Sequence, residues 1–275
     1  LSRLAHAVAE ATEQLEIYNF GDYARNIQSF FWGDVCDWYI ELCKGRLLDG
    51  SADEKLQVQR NLVYVLDVSM RLLHPVMPFV TESVWDALPA SGLDAHDAQF
   101  LMVAKWPEPE ELSCFVNQKA ENDFELAKRV ISSVRSTRAR YRLSPKAELA
   151  VSVRASETDS AILESQVGFI RSVGRVSDFV AGVDAAKPAG AVSVADGSLE
   201  IFVDLGGLVD LAAEASRLKK ELEKAQKELS GVERTLSNEG FVAKAAPAVI
   251  EKKRAQAAEL TATIDQLKSQ IADFQ

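Results

Sequence analysis

A dense group of aromatic residues near the beginning of the chain constrains the fold more than any other feature. Residues 30–39 carry five aromatic side chains, and helical spacing predicts that they lie on a helix beginning near Tyr23. The centre of its apolar surface is formed by Ile27, Phe31, Val35, Trp38 and Leu42, and the surface is widened by Phe30, Cys36, Tyr39, Ile40 and Cys43. Each buried aromatic side chain removes about 150–250 Å² from water, so neighbouring helices must cover this one. The sequence therefore predicts a helical bundle.

The polar edge of the same helix is a candidate binding surface. Asp34, Asp37 and Glu41 give the helix a narrow acidic face. One interpretation is that Trp38 lies in the core, while Trp32 and Asp37 face a polar ligand. The alternative is that both tryptophans are core residues, as buried aromatic residues at helical spacing usually are.

Helical patterns account for most of residues 1–145, which we predict to form one antiparallel bundle domain. The predicted helices cover residues 2–17, the aromatic segment, a third helix ending at His74-Pro75, a short helix from Thr81 to Leu88, and a fifth helix from Asn117 to Ser144-Pro145. Residues 45–53 are predicted to form a loop, and residues 89–115 are predicted to be irregular.

The composition changes after Pro145. Alternating apolar residues predict strands over residues 148–155, 177–181, 191–195 and 199–205, with a helix over 161–173. Asp196-Gly197 is typical of a hairpin turn. We therefore predict a small α+β module over residues 146–207.

Residues 208–275 show two heptad patterns, which predict an antiparallel coiled-coil hairpin. The first seam is Leu211, Ala215, Leu218, Leu222, Ala225, Leu229, Val232 and Leu236; the second is Ile250, Ala257, Leu260, Ile264, Leu267, Ile271 and Phe274. Asn238, Gly240 and Pro247 prevent one continuous helix. Two helices of about 26 residues give an arm about 40 Å long. In a hairpin the apolar seams of the two helices bury each other within one chain, so we expect a monomer. The alternative is that the seams pair between two chains.

Charge is unevenly distributed. The formal net charge is −10, yet residues 124–146 contain seven basic residues and one acid, Glu125. Local potential decides whether a phosphate binds, so Lys128, Arg135, Arg138 and Arg142, at spacings that place them on one helix face, are candidate RNA contacts. An ordinary solvated face is equally compatible with this pattern. On the tail, the candidate backbone contacts are Lys219, Lys220, Lys224, Lys227, Arg234, Lys244, Lys252, Lys253 and Arg254, although such charges on a coiled coil more often serve solubility.

Several classes of function are disfavoured. The sequence has no P-loop, GxGxxG, HExxH or GxSxG motif, and its three cysteines form no CxxC, so we predict no catalytic residue and no metal site. No apolar run reaches the roughly 18 residues of a membrane span. We therefore expect no membrane partner. Because the chain begins at Leu1 and enters a helix at once, we expect a fragment of a larger protein.

Several short motifs resemble one known family. Their order is Phe30-Phe31-Trp32, Cys36-Asp37-Trp38-Tyr39 with Glu41, Leu72-Leu73-His74-Pro75, Met77-Pro78-Phe79, Thr81-Glu82, Trp85, Trp106-Pro107, and Arg135 with Arg138-Ala139 and Tyr141. Residues 1–145 thereby resemble the anticodon-binding bundle of class I aminoacyl-tRNA synthetases of the valine, isoleucine and leucine group. Leu236-Ser237-Asn238, Gly240 to Ala245 and Pro247 are similar to the C-terminal arm of bacterial-type valyl-tRNA synthetases. The isoleucine enzymes commonly end in a cysteine-ligated zinc module, which this sequence lacks.

The resemblance implies that the chain binds tRNA(Val), through the anticodon stem-loop and the tRNA body. It implies a parent enzyme that attaches valine to tRNA with ATP and Mg²⁺, in the bacterial cytoplasm or an organellar matrix or stroma. The catalytic and editing domains of that family are missing here, so we expect this chain to need no cofactor, to be inactive alone and to act with the missing catalytic half. The family usually has two adjacent prolines near Ser144-Pro145, where this chain has one. A coiled-coil scaffold and a free-standing RNA-binding regulator remain alternatives.

Overall fold

The computed structural model describes residues 1–89, 98–208, 211–237 and 247–272. The chain divides into two compact units, residues 1–126 and 127–275, and the boundary falls within one long helix. Within the described ranges, no helix combines the length and the apolar character that a membrane span requires. The predicted three-part division at residues 145 and 207 stays a prediction.

The first unit is a bundle of helices, as expected. Its helices are α1 (Ser2–Glu16), α2 (Phe20–Ser29), a π-helix (Phe30–Tyr39), α3 (Ile40–Asp49), α4 (Ala52–Leu73), α5 (Pro78–Asp86), α6 (Pro109–Leu112) and the first part of α7 (Gln118–Arg140), which continues into the second unit, with 3₁₀ turns at Leu101–Val103 and Ser113–Phe115. One apolar cluster joins α1, α2, the π-helix, α4 and α5. The buried Tyr23 hydroxyl donates to the Leu72 carbonyl 2.5 Å away, which fixes α2 against the end of α4. The aromatic segment therefore lies in a bundle core.

The aromatic segment differs from the predicted regular α-helix. Its residues 30–39 are π-helical, and the wider i→i+5 turn changes which side chains point inward. Ile27, Phe30, Val35 and Cys43 are fully buried, whereas Trp38 is half-buried. The buried surface of this helix is therefore centred on partly different residues from those predicted. The prediction assumed 3.6 residues per turn along the whole helix.

Three predicted boundaries in this unit were wrong. The loop expected over 45–53 is only Gly50-Ser51, since α3 continues to Asp49 and the Ser51 side chain forms a capping box with Glu54 at the start of α4. Helix α5 begins at Pro78 rather than Thr81, because proline is well tolerated in the first turn of a helix. Within the segment expected to be irregular, short helical turns form at residues 101–103 and 109–115.

The second unit contains a mixed four-stranded sheet. Strands β1 (Leu149–Arg154), β2 (Val176–Gly182), β3 (Ala191–Asp196) and β4 (Leu199–Asp204) lie in the order β2-β1-β4-β3, with β1 and β2 parallel and the other neighbours antiparallel. The β1–β2 crossover holds two helices, α8 (Glu157–Ser165) and α9 (Val167–Gly174), where one was expected. Asp196 pairs with Leu199 around a two-residue turn, as the hairpin prediction required.

Two further helices follow the sheet, α10 (Leu211–Leu236) and α11 (Pro247–Ala272). They pack together through Leu218, Ala225, Ile264, Leu267 and Ile271, with Leu222 and Leu229 at the margin. All seven of these residues were predicted seam positions. Residues 238–246, which include Lys244, and residues 273–275, which include Phe274 of the second seam, lie outside the described residues.

Candidate nucleic-acid interface

The π-helix presents Trp32 and Asp37 to solvent. Trp32 is 47% exposed and meets the Phe31 ring edge-on, with ring centroids 5.2 Å apart. Asp37 is exposed as well, whereas the half-buried Trp38 packs edge-on against Phe124 at 6.2 Å. The structure thus places Trp38 inward and Trp32 outward, and the RNA contact of Trp32 and Asp37 stays a prediction.

Asp34 and Cys36, on the same helix, are half-buried. Asp34 accepts hydrogen bonds from the Arg3 guanidinium at 3.2 Å. Burial, and secondly the charge of Asp37, raise the pKa of the Cys36 thiol, so this thiol is a poor nucleophile at neutral pH. In the described ranges, no group of three His, Cys, Asp or Glu side chains is arranged to hold a metal ion. The exposed edge of this helix thus presents the Trp32 ring and the Asp37 carboxylate to solvent.

The basic segment does not form the single exposed face that its spacing predicted. Helix α7 ends at Arg140, and Arg142 follows it with a left-handed φ of 51°. Arg142 therefore leaves the helical face that would continue from Lys128 and Arg135. Arg135 is exposed and Lys128 is half-buried.

Arg138 is held within the protein. Its Nη1 donates to the carbonyls of Ala147 and, at 3.3 Å, Ser144, while Nη2 donates to the Gly174 carbonyl at 3.1 Å. Burial, with a smaller effect of the Arg175 charge, lowers the pKa of the Arg138 guanidinium. Placing Arg138 opposite the apolar stripe was therefore wrong, because it follows the buried Val134 by four residues and shares its side of the helix.

Arg129 is a structural residue that sequence reasoning counted only as part of the basic segment. Its Nη2 donates to the backbone carbonyl of Asp196 and lies 3.1 Å from the carboxylate of the same residue. Gly197 follows in the turn with φ of 57°, and a Cβ there would lie 2.6 Å from Arg129 Nη2. The Asp196-Gly197 turn motif pointed to the hairpin, but nothing in the sequence indicated that a helix arginine fastens it.

The cations of the two last helices lie mostly on the solvent side. Of the predicted contacts, those exposed are Lys219, Lys220, Lys224, Lys227, Arg234, Lys252 and Arg254. Lys253 is half-buried and donates to Gln256 at 3.1 Å, and Lys224 lies 3.9 Å from the Glu228 carboxylate. Exposed acids, Glu221, Glu223, Glu228 and Glu233, are interspersed with these cations on α10, and the contact of the cations with an RNA backbone stays a prediction.

Two known protein families match this chain. The family described as "Anticodon-binding domain of tRNA ligase" matches residues 1–153, more than half of the sequence. The chain belongs to this family. A second family, described as "Valyl tRNA synthetase tRNA binding arm", matches residues 210–275 of this member of the anticodon-binding family.

Relatives of this anticodon-binding protein include several bacterial valine–tRNA ligases. The ligase of Thermotoga maritima is 36% identical over 275 residues, which is 100% of this chain and 30% of the ligase. The ligase of Symbiobacterium thermophilum is 36% identical, covering 98% of this chain and 31% of the ligase, and that of Geobacter sulfurreducens is 37% identical, covering 98% and 30%. The chain thus spans about 30% of the length of the curated relatives it matches, and it corresponds to their C-terminal part.

Proposed function

We propose that this chain is the tRNA-binding part of a valine–tRNA ligase. The observation that carries the proposal is the pair of family matches, an anticodon-binding domain over residues 1–153 and a valyl tRNA synthetase tRNA-binding arm over residues 210–275. The parent enzyme would attach valine to tRNA(Val) using ATP and Mg²⁺. This chain would supply recognition, and the remainder of the ligase the chemistry.

The bundle would bind the anticodon stem-loop through the exposed edge of the π-helix. Bases in a loop are unstacked and can be received by an aromatic ring and read by hydrogen bonds on their edges. The exposed Trp32 ring supplies a stacking partner, and the exposed Asp37 carboxylate can accept from a base amino group. Arg135 and Arg142 would contact phosphates, whereas Arg138 would act by holding its three carbonyls.

The helices α10 and α11 would form an antiparallel coiled-coil arm that contacts the tRNA body. Their shared apolar cluster includes Leu218, near the beginning of α10, and Ile271, near the end of α11, which favours antiparallel packing. Since the seam is satisfied within one chain, we propose a monomer. The exposed lysines on both helices, such as Lys220 and Lys252, would neutralise backbone phosphates.

A binding titration with two RNAs tests this proposal. The 275-residue chain is titrated with fluorescently labelled tRNA(Val) and with the same tRNA carrying a different anticodon, at several salt concentrations. We expect tighter binding of the cognate tRNA and a steep salt dependence. A double variant, Trp32→Ala with Asp37→Ala, should remove the preference between the two RNAs, while the exposed Leu48→Ala serves as a matched control. Equal binding of both RNAs by the unaltered chain would contradict anticodon recognition.

A further inference from the structure

Two helices of the second unit are followed by an arginine in the left-handed conformation. Arg142 follows α7 with φ of 51°, and Arg175 follows α9 with φ of 50°. The Arg142 N–H donates to the Ala139 carbonyl at 3.2 Å, and the Arg175 N–H donates to the Arg171 carbonyl. Such bonds belong to helix-ending motifs whose left-handed residue is usually glycine, because a Cβ is disfavoured there. At both helix ends the chain therefore carries a long cationic side chain at a conformational cost that glycine would avoid.

Arg138 fastens the two helix ends to each other. Its Nη1 donates to the carbonyl of Ser144, two residues after Arg142, at 3.3 Å. Its Nη2 donates to the carbonyl of Gly174, directly before Arg175, at 3.1 Å. Both left-handed arginines thus belong to backbone segments that one guanidinium holds together.

The positive charges at this junction lie close enough to act on one another. Burial and, secondly, the charge of Arg175 lower the pKa of the Arg138 guanidinium. A further cation, Lys146, directly precedes Ala147, whose carbonyl also accepts from Arg138. The side chains of Arg142, Lys146 and Arg175 are exposed. Neighbouring like charges repel one another, and an anion bound among them would offset this repulsion.

Interaction with the helix dipole does not explain these two arginines. Cations near a helix C-terminus are stabilising, and a cation in the last helical turn supplies this effect without a left-handed backbone. Helix α7 already has Arg138 and Arg140 in its last turn, and α9 has Arg171. Residues held in a disfavoured conformation are concentrated at functional sites, which points to a bound anion.

A phosphate group is the anion that suits this site best. Guanidinium groups bind phosphate oxygens through two parallel hydrogen bonds. In sequence, the α+β module lies between the matches to an anticodon-binding domain, residues 1–153, and to a tRNA-binding arm, residues 210–275. Arg175 belongs to neither match, so the comparisons assign no role to it.

We infer that Arg142, Lys146 and Arg175 form a binding site for phosphates of the tRNA backbone, with Arg138 as the residue that positions it. The inference rests on the proposed function and extends RNA binding to the α+β module. The module would then take part in recognition through its helix ends.

Glycine variants separate binding from stability. Arg142→Gly with Arg175→Gly should leave the urea midpoint of unfolding unchanged or raised, because glycine suits a left-handed position. The same double variant of the 275-residue chain should bind fluorescent tRNA(Val) about tenfold more weakly at about 0.1 M salt, with a salt slope shallower by about two. Arg142→Lys with Arg175→Lys keeps both charges and should keep the slope.

Arg171→Gln is the matched control on α9. The Arg171 guanidinium lies 3.1 Å from the Asp178 carboxylate, so its charge is already paired within the protein. This change should leave the salt slope of tRNA binding unaltered.

Chemical modification of arginines locates the contact directly. Phenylglyoxal is applied to the unaltered chain alone, with tRNA(Val) and with polyglutamate, and the products are quantified by mass spectrometry. With tRNA(Val), Arg142 and Arg175 should react at least about fivefold more slowly, because bound phosphates cover their guanidinium groups. Arg154, which is paired with Glu200 at 2.7 Å on the sheet, is the reference arginine.

Three outcomes would overturn the inference. The first is a glycine double variant that binds tRNA with unaltered affinity and salt slope. The second is equal loss of binding by the lysine and glycine double variants together with a lowered urea midpoint, which would make both arginines structural. The third is protection of Arg142 and Arg175 by polyglutamate but not by tRNA, which would assign the site to an acidic protein surface. Failure of the unaltered chain to bind tRNA would contradict the proposed function as well, whereas the first outcome contradicts this site alone.

Discussion

Replacing Arg138 with methionine separates the structural role of this residue from a direct role in RNA binding. The guanidinium donates to the carbonyls of Ala147 and Gly174 and, more weakly, to that of Ser144. A hydrogen bond to a charged group contributes about 1.5–3 kcal/mol, and the side chain is only half-buried. Counting the two better bonds and discounting for solvent screening, we expect a loss of about 2–3 kcal/mol in the free energy of unfolding.

The assay is urea unfolding followed by circular dichroism, together with the salt dependence of tRNA binding. Arg135→Met is the comparison on the same helix, and because the Arg135 side chain is exposed, the change should cost less unfolding free energy than Arg138→Met. Arg138→Lys should fall between the two, because an ammonium group cannot reach three carbonyls in the geometry of a guanidinium. If Arg138→Met leaves stability unchanged but lowers the salt slope of binding, the structural reasoning is wrong.

Three further outcomes are expected. Trp38→Ala should lower the free energy of unfolding by about 3 kcal/mol, because the ring packs on Phe124. Asp37→Ala should lower it by less than about 0.5 kcal/mol, and equal losses of the two variants in urea unfolding would contradict this difference. Arg135→Gln with Arg142→Gln should lower the salt slope of tRNA binding by about two in a titration, and an unchanged slope would assign both to a solvated face. Deleting residues 212–275 should weaken tRNA binding with the remaining body folded and monomeric by light scattering; a dimer that becomes monomeric on deletion would identify an oligomerisation device.

These experiments distinguish two uses of positive charge on one helix. An arginine that donates to backbone carbonyls stabilises the fold with little dependence on salt concentration. The reason is that its partly buried hydrogen bonds are screened less by counterions than an exposed charge is. An arginine on the surface contributes to binding by releasing counterions from RNA and loses that contribution as salt rises. Salt titration is therefore the measurement that assigns each cation to one of the two roles.

Sequence periodicity anticipated most of the secondary structure, for reasons that are local. The seam positions Leu218, Ala225 and Ile264 are buried as the heptads required, and the turn at Gly197 closes a hairpin as its dipeptide required. Motif order also pointed to the anticodon-binding family before any fold was considered. These signals depend on residues a few positions apart, which is the range over which backbone geometry and side-chain spacing are coupled.

Other features depended on contacts between residues far apart in the sequence. The π-helix at Phe30–Tyr39 changes which aromatic side chains are buried, and no local pattern indicated it. The role of Arg138 was decided by carbonyls up to 36 residues away, and the sequence did not indicate it because a guanidinium can donate to a carbonyl, a carboxylate or a phosphate. The sequence by itself determined most of the helices, the four strands and the family. Only tertiary structure decided that Trp32 is exposed and that Arg138 faces the protein, because burial is set by neighbours that the chain brings together on folding.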